Sequence, residues 1–329
     1  MTTVSILGGG AWGTALALTA HRAGNQTTMW TRNADQIQEM QQTRENSKYL
    51  SNISLPDDLK ITSSLEHAVQ SNIIILACPA QSMRGFLESI KNDISLDAYL
   101  VICAKGIEID SGKLMNEVVS EVLPHHCNAV LSGPTFARDV AEARPTAATL
   151  ATEEITTARW LASSLSCPSF RLYPATDRIG VSISGALKNV IAIASGICMA
   201  RHLGHNAQAS LITRGLAEIT RLGHALGAHT ETFLGLAGVG DMVLTCYSSA
   251  SRNTSYGLEI GKKHHIINEM TSGNFLTEGV YTAKAAVQLA DIQGIELPIT
   301  EAVYRILYQR SCIEDEINLL LNRPLKIEY

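Results

Sequence analysis

Lys188 and Asn189 stand inside Gly185-Ala186-Leu187-Lys188-Asn189-Val190-Ile191-Ala192-Ile193-Ala194-Ser195-Gly196, a helical stretch that is otherwise small and apolar on nearly every side. An unpartnered ammonium is costly to bury, so Lys188 must snorkel, pair or face a polar cleft. Apolar surroundings and a second cation lower a lysine pKa toward neutrality, which suits a proton donor or acceptor. A structural lysine in an interdomain salt bridge is the other reading of the same residues. Gly235-Leu236-Ala237-Gly238-Val239-Gly240-Asp241 is a glycine-rich turn with no strand before it, and reads as a helix-to-helix connection that aims Asp241. Ser251-Arg252-Asn253 sets a guanidinium between two short hydrogen-bonding side chains. Such a set offers a planar fork to phosphate oxygens. It reads equally as an ordinary helix N-cap followed by an exposed arginine.

These groups need a scaffold, and the first ten residues or so supply its signature. Val4-Ser5-Ile6-Leu7 suits a buried strand and runs into Gly8-Gly9-Gly10-Ala11-Trp12-Gly13, then into the helix-compatible Thr14 to Ala23. Gly8, Gly10 and Gly13 fit the G-x-G-x-x-G spacing between strand and helix, the context of a dinucleotide-binding turn. Gly8 permits the tight turn, Gly10 admits a pyrophosphate, and Gly13 lets the helix pack on the sheet. The anion then sits on the unpaired amides of the helix N-terminus. Arg32 ends the next strand, about 20 residues past the turn, where a carboxylate would favour NAD and an arginine can hold a 2′-phosphate. An arginine there also stacks on adenine or stays solvated.

Further along, Asn72 to Cys78 is predicted as a fully buried parallel strand ended by Pro79. A helix over Ser82 to Ile90, a strand over Tyr99 to Ala104 and a helix over Lys113 to Leu123 continue the alternation. Lys105 therefore falls at the sheet's carboxyl edge, where ligands bind in such folds. The next strand, Asn128 to Leu131, ends in Ser132-Gly133-Pro134-Thr135-Phe136-Ala137, which presents amides and the Thr135 hydroxyl at the same edge. Two last strands, Ala147 to Thr152 and Phe170 to Tyr173, flank a helix over Glu154 to Leu165. From about Asp177 strand signals vanish and long amphipathic helices follow: Ile179 to Ala200, Asn206 to Leu226, Ser255 to Lys263, Thr277 to Ile292 and Ile299 to Tyr308. The expected fold is α/β: a Rossmann-type doubly wound domain over residues 1–178 and an all-α domain over 179–329.

At 329 residues and 46% hydrophobic content, the chain can build two cores. A net charge of -5 argues against a general nucleic-acid binder. Cys78, Cys103, Cys127, Cys167, Cys198, Cys246 and Cys312 form no C-x-x-C pair and several lie in apolar runs, which fits reduced thiols in a cytoplasmic protein. No signal peptide precedes the first strand, and no uninterrupted apolar run reaches bilayer length, so no stable membrane insertion is expected. No metal site is expected either: His202 and His205 have no Cys or carboxylate at ligand spacing, while His125-His126 and His264-His265 read as solvated pairs.

A nucleotide turn, a tuned lysine and an anion site together imply hydride transfer between a nicotinamide and a small anionic ketone or alcohol. The ordered set G-G-G-A-W-G-T-A-L-A, A-K-G-I-E, S-G-P-T-F-A, G-A-L-K-N-V-I-A-I, I-T-R-G-L-A-E, A-G-V-G-D-M-V-L-T-C, S-R-N and L-P-I-T-E-A-V-Y resembles the bacterial-type NAD(P)-dependent glycerol-3-phosphate dehydrogenases across nearly the whole chain. The resemblance implies interconversion of sn-glycerol 3-phosphate and dihydroxyacetone phosphate with NADP(H) and/or NAD(H), feeding phospholipid synthesis, by a homodimer. It makes Lys188 the proton acceptor, or donor in reduction, with Lys105 and Asp241 beside it. Gly133, Thr135, Asn189, Asp241, Ser251, Arg252 and Asn253 join the two lysines as substrate positions. Gly8, Gly10, Ala11, Trp12, Gly13, Arg32, Tyr49, Lys105, Ala137, Arg252, Leu276 and Glu278 become cofactor positions. The turn reads G-G-G where G-A-G is usual, and Cys78-Pro79-Ala80 replaces Val-Pro-Ser, so no contact is carried onto Ala80. Two other readings stand beside this one: a related two-domain hydroxy-acid or sugar-acid dehydrogenase, and a non-catalytic NADP-binding sensor.

Overall fold

A computed structural model describes residues 2–262, 277–325 and 327. Among these, eight strands form one sheet: β1 (Thr3–Leu7), β2 (Gln26–Trp30), β3 (Lys60–Thr62), β4 (Ile73–Leu76), β5 (Tyr99–Ile102), β6 (Asn128–Ser132), β7 (Thr146–Ala151) and β8 (Phe170–Ala175). Their spatial order is β8-β7-β6-β5-β4-β1-β2-β3. The run from β3 to β6 is the 3-2-1-4-5-6 order of a doubly wound nucleotide-binding sheet, with parallel pairing throughout. Between β6 and β7 the direction reverses, and β8 then follows β7 in parallel. Only the short helix Ala137–Ala141 interrupts the β6–β7 connection. An antiparallel return needs no full crossover helix, and strand patterning carries no direction, so the reversal has no signature in the residues.

Both sheet faces are covered, which is why β4 reads I-I-I-L and is buried along its whole length. Alternation along the strand splits the core. Ile73 and Ile75 join Val4, Ile6 and the helix Ala11–Arg22 on one face, while Ile74 and Leu76 join Leu7, Met83, Leu87 and Val118 on the other. Each such side chain contributes about 1.5–3 kcal/mol by leaving water.

Past the sheet, Asp177 caps the helix Arg178–Ala200: one carboxylate oxygen accepts from the Gly180 amide at 2.7 Å. The other accepts from the His229 amide at 2.9 Å and the Thr232 hydroxyl at 2.6 Å. This helix is the axis of the helical half. Ile183, Leu187 and Ile191 serve one apolar cluster, and Val190, Ile193 and Ile197 serve another. Around it pack His205–Ala225, Arg252–Lys262, Glu278–Gln293 and Pro298–Tyr308. Its mean hydropathy over 18 residues is 1.5, so by length and composition it could cross a bilayer, although Lys188 and Asn189 interrupt its apolar run. Since 83% of that window is buried inside the protein, it is a core helix.

Several helices go beyond what the sequence pattern predicts, among them Asp241–Tyr247 and Ile313–Leu321. Asp241–Tyr247 is too short to show periodicity, and Ile313–Leu321 is held by tertiary contacts: the buried Glu316 accepts from Arg305 at 2.8 Å and from the Ser311 hydroxyl at 2.6 Å. The helix expected from Ser255 starts a turn earlier, at Arg252, because Ser251 caps it.

Candidate active site

Strands β6 and β7 pack against the Arg178–Ala200 helix. At β1 the backbone turns at Gly8 with φ +145, and a Cβ there would lie 2.6 Å from the Ala77 carbonyl oxygen. A Cβ on Gly13 would run into the Gly8 carbonyl oxygen, so the helix can seat this closely only on glycine. Gly10 differs: a Cβ there meets open space, and no side chain caps the Ala11–Arg22 helix that it begins. The first amides of that helix, at Ala11 and Trp12, therefore stand at an open, electropositive end suited to a phosphate. The turn is braced from below by two buried amides that the sequence pattern does not single out. Gln36 Nε2 and Asn46 Nδ2 donate to the Gly9 carbonyl at 2.6 and 3.0 Å, and Asn46 also donates to the Thr14 hydroxyl at 2.7 Å.

Arg32 follows β2 by two residues, is exposed, and among the described residues has no hydrogen-bond or ion-pair partner, so its guanidinium is open to a phosphate. Tyr49 is 47% exposed, with Lys48 Nζ 5.3 Å from its ring centroid. Ala137 opens the helix after the Gly133 turn, and Leu276 lies outside the described residues. Glu278 begins the helix Glu278–Gln293, and its Oε1 accepts from the Ala80 amide at 3.2 Å, bridging the helical half to the end of β4. Among the described residues its Oε2 is buried without a hydrogen-bond partner. Burial pushes this carboxyl up from its ordinary value, against the Ala80 amide and the Arg252 charge, which lower it. An open glycine turn, an uncapped helix end, an unpaired arginine and an orphaned buried carboxylate oxygen together fit a dinucleotide.

Opposite lies the charged cluster. Lys188 is 7% exposed and Asp241 1%. Lys188 Nζ donates to Asp241 Oδ1 and, at 2.8 Å, to the Thr245 hydroxyl. Lys105 Nζ donates to Asp241 Oδ2 at 2.6 Å and reaches the Gly133 carbonyl at 3.4 Å. Gly185 leaves room for this: a Cβ there would sit 2.9 Å from Ser132 Oγ and 3.4 Å from Lys105 Cγ. Asp241 stands in the first turn of its helix, where the dipole favours a carboxylate. Burial lowers the Lys188 pKa to about 8, Lys105 adds to the fall, and Asp241 opposes it. For Asp241 burial acts upward, and the two lysines outweigh it, holding the carboxyl below its usual range. The cluster is a carboxylate shared by two ammoniums, one of them tuned to exchange a proton near neutrality.

Ser251, Arg252 and Asn253 satisfy both readings of their sequence. Ser251 Oγ accepts the Thr254 amide at 3.3 Å as an N-cap, while Arg252 is exposed. Asn253 is tied to Asn189 and Gly279. Thr135 donates to the Gly133 carbonyl at 3.1 Å. The structure thus brings Lys105, Gly133, Lys188 and Asp241 into one cluster, and Asn189 and Asn253 into a neighbouring one. Thr135 shares the Gly133 carbonyl with Lys105, whereas among the described residues no hydrogen bond or ion pair joins Arg252 to the lysines. Thr245 is a site residue that sequence reasoning missed; its place one turn after Asp241 on a helix was the signal. Among the described residues no group of His, Cys, Asp and Glu could hold a metal.

Fold and site together fit a nicotinamide-dependent dehydrogenase with a Rossmann-type N-terminal part and a helical C-terminal part. Residues 3–158 match the NAD-dependent glycerol-3-phosphate dehydrogenase N-terminus, and residues 177–318 match its C-terminus. The glycerol-3-phosphate dehydrogenase [NAD(P)+] of Brucella canis is 45% identical over 99% of both chains, and that of Parvibaculum lavamentivorans 43% identical over 99% of this chain and 98% of its own. The crystal structure of glycerol-3-phosphate dehydrogenase from Coxiella burnetii superposes with a TM-score of 0.92, at 36% identity, covering 98% of this chain and 99% of that one. The chain belongs to the NAD-dependent glycerol-3-phosphate dehydrogenase family.

Proposed function

We propose that this protein interconverts dihydroxyacetone phosphate and sn-glycerol 3-phosphate with NADP(H) or NAD(H), supplying glycerol 3-phosphate for phospholipid synthesis. The observation that carries the reading is Lys188, buried and paired with the Asp241 carboxylate that Lys105 shares, at the carboxyl edge of a dinucleotide-binding sheet. When bound, a reduced nicotinamide supplies the hydride for the carbonyl carbon. Residues 1–178 hold that group: the amides after Gly10 take the pyrophosphate, Arg32 the 2′-phosphate, and Glu278 reaches over from the helical residues 179–329. Trp12, Tyr49 and Ala137 stand along the same cofactor path.

In the reduction, Lys188 gives its ammonium proton to the carbonyl oxygen as the carbonyl carbon gains the hydride. In the oxidation the neutral amine takes the hydroxyl proton, so a pKa of about 8 leaves the acid form for reduction at neutral pH and the base form for oxidation above it. Asp241 keeps both ammoniums in place and carries no proton. Lys105 polarises the same oxygen, with the Gly133 and Thr135 turn beside it. Ser251, Arg252 and Asn253, at the start of the Arg252–Lys262 helix, take the phosphate, whose binding energy holds the carbonyl in position.

A homodimer fits the apolar stripe Val239, Val243 and Tyr247, which are 36%, 45% and 47% exposed on one helical face. The free cysteines fit a reducing cytoplasm. The whole-length relationship at 45% identity favours the phosphate substrate over a hydroxy or sugar acid. The test is NADPH and NADH oxidation by the purified protein with dihydroxyacetone phosphate, with 2-keto acids, and with no substrate. Turnover with the phosphoketone alone supports the reading, and turnover with a keto acid alone overturns it.

A further inference from the structure

The Gly9 carbonyl, buried inside the glycine turn, takes two side-chain donors, Gln36 Nε2 at 2.6 Å and Asn46 Nδ2 at 3.0 Å. A carbonyl can only accept, so the Gly9 oxygen fixes which end of each side chain is nitrogen. The remaining hydrogens of the two amides are placed as well. Gln36 Nε2 reaches Asn46 Oδ1 at 3.2 Å, and Asn46 Nδ2 reaches the Thr14 hydroxyl at 2.7 Å. Thr14 donates in turn to the Gly10 carbonyl at 2.9 Å, and the Thr31 hydroxyl donates to Gln36 Oε1 at 3.2 Å. Gln36 and Asn46 are 7% and 1% exposed, so this is a closed polar network in which each donor has an acceptor.

What the network controls is the Gly9–Gly10 peptide. A trans peptide sets its C=O and N–H on opposite sides of one plane, so a carbonyl held inward turns the Gly10 N–H outward. Among the described residues that N–H has no partner, and it is followed by the amides of Ala11 and Trp12 at the uncapped helix start. With no Cβ on residues 8, 9 and 10, the chain by itself resists a rotation of this plane only weakly. The network also fills the space beside Gly9, where a Cβ would lie 2.6 Å from Thr31 Cβ and 3.1 Å from Gln36 Nε2.

We propose that Gln36 and Asn46 are positioning residues for the cofactor: they lock the Gly9–Gly10 peptide so that three consecutive N–H groups, from Gly10 to Trp12, face the pyrophosphate. The proposal rests on the reading of the turn as a dinucleotide site. A pyrophosphate is the same group with or without a 2′-phosphate on the ribose, so the two amides serve NADPH and NADH alike, whereas Arg32 tells them apart. The segments involved have no contact of their own to make with the ligand; the two side chains act through the backbone that they hold.

Asn46→Leu and Gln36→Met remove the donors with little change in shape and none in charge. The test is direct titration of NADPH and NADH by fluorescence, with displacement of NADPH by adenosine 2′-monophosphate, which carries the 2′-phosphate and lacks the pyrophosphate. Thermal melting of the cofactor-free protein establishes that each variant is folded at the titration temperature. Each variant is expected to raise the Kd of both dinucleotides by about 3- to 30-fold, with their ratio within about twofold of the parent. Affinity for adenosine 2′-monophosphate should stay within about twofold, since that ligand leaves the turn untouched. Folded variants with a lowered Tm and unchanged Kd values reveal a merely structural network and overturn the proposal. A loss confined to NADPH, or an equal loss for adenosine 2′-monophosphate, puts the effect at the adenosine end and overturns it as well. Should Asn46→Leu not fold, Gln36→Met carries the same outcomes alone. Failure of the parent protein to bind NADPH is a failure of the dinucleotide reading, which the parent titration reports separately.

Discussion

Replacing Asp241 by asparagine keeps the outline of the side chain and removes the charge that two buried ammoniums share. Lys105 Nζ lies 2.6 Å from one carboxylate oxygen, and Lys188 donates to the other. Two unit charges about 4 Å apart at an effective dielectric of about 20 interact by about 4 kcal/mol. At about 1.4 kcal/mol per pKa unit, losing that attraction shifts Lys188 down by at most about 3 units. The Lys188 pKa then falls from its value of about 8, the loss of the Asp241 attraction leaving burial and Lys105 unopposed. Reduction needs the ammonium form, so turnover at neutral pH drops about 10- to 100-fold and recovers as pH falls toward the new pKa. Removing one partner of a buried pair also costs about 3–5 kcal/mol of stability, so the comparison belongs well below the melting transition. The assay is single-turnover NADPH oxidation with saturating dihydroxyacetone phosphate from about pH 5.5 to about pH 9, with circular dichroism to establish the fold. A folded Asp241→Asn protein whose reduction still titrates near 8 refutes the reasoning.

Arg32→Ala should lower the ratio of NADPH to NADH efficiency by about 10- to 100-fold, since a charge-assisted contact to the 2′-phosphate is lost and nothing is lost for NADH; an unchanged ratio removes Arg32 from the site. Gly9→Ala would place a Cβ 2.6 Å from Thr31 Cβ. That overpacking is expected to cost about 1–3 kcal/mol in a melting experiment and to weaken NADPH binding, and an unaltered Tm contradicts it. Glu218 is 2% exposed and accepts the Ile299 and Thr300 amides at the start of the Pro298–Tyr308 helix. Burial raises its pKa to about 7 against those donors. A raised acid pKa means that the folded state keeps a proton which the unfolded chain releases, so its contribution is whole below about 4.5 and is lost as pH rises through about 7. Denaturation from about pH 5 to about pH 8 should show a loss of about 2–3 kcal/mol that is absent in Glu218→Gln; parallel pH dependences for the two proteins count against it.

Much of this was legible in the residues, for reasons that differ along the chain. The glycine turn could be read because its spacing states a backbone requirement, which Gly8 and Gly13 meet by close approach. Lys188 could be read because an ammonium in an apolar helix must find a partner, but the partner could not: Asp241 is 53 positions away and meets it only through the fold. Strand existence followed from apolar runs, whereas the reversal at β7 left no local trace. Gln36 and Asn46 brace the Gly9 carbonyl from segments that read only as polar helix and irregular chain, and a side-chain amide has no periodicity to betray its task. Thr245 stands one turn from Asp241 in the sequence, but that spacing becomes a site role only when Lys188 arrives from another helix to donate to both.

The most direct measurement is the rate of NADPH oxidation by Lys188→Ala with dihydroxyacetone phosphate, beside NADPH affinity in the same protein. Loss of the proton donor should lower turnover by about 100- to 10,000-fold while NADPH binding stays within a few fold of the parent. A variant that binds NADPH and turns over within a few fold of the parent contradicts the assignment of Lys188 as the acid, and with it the proposed reaction at this site.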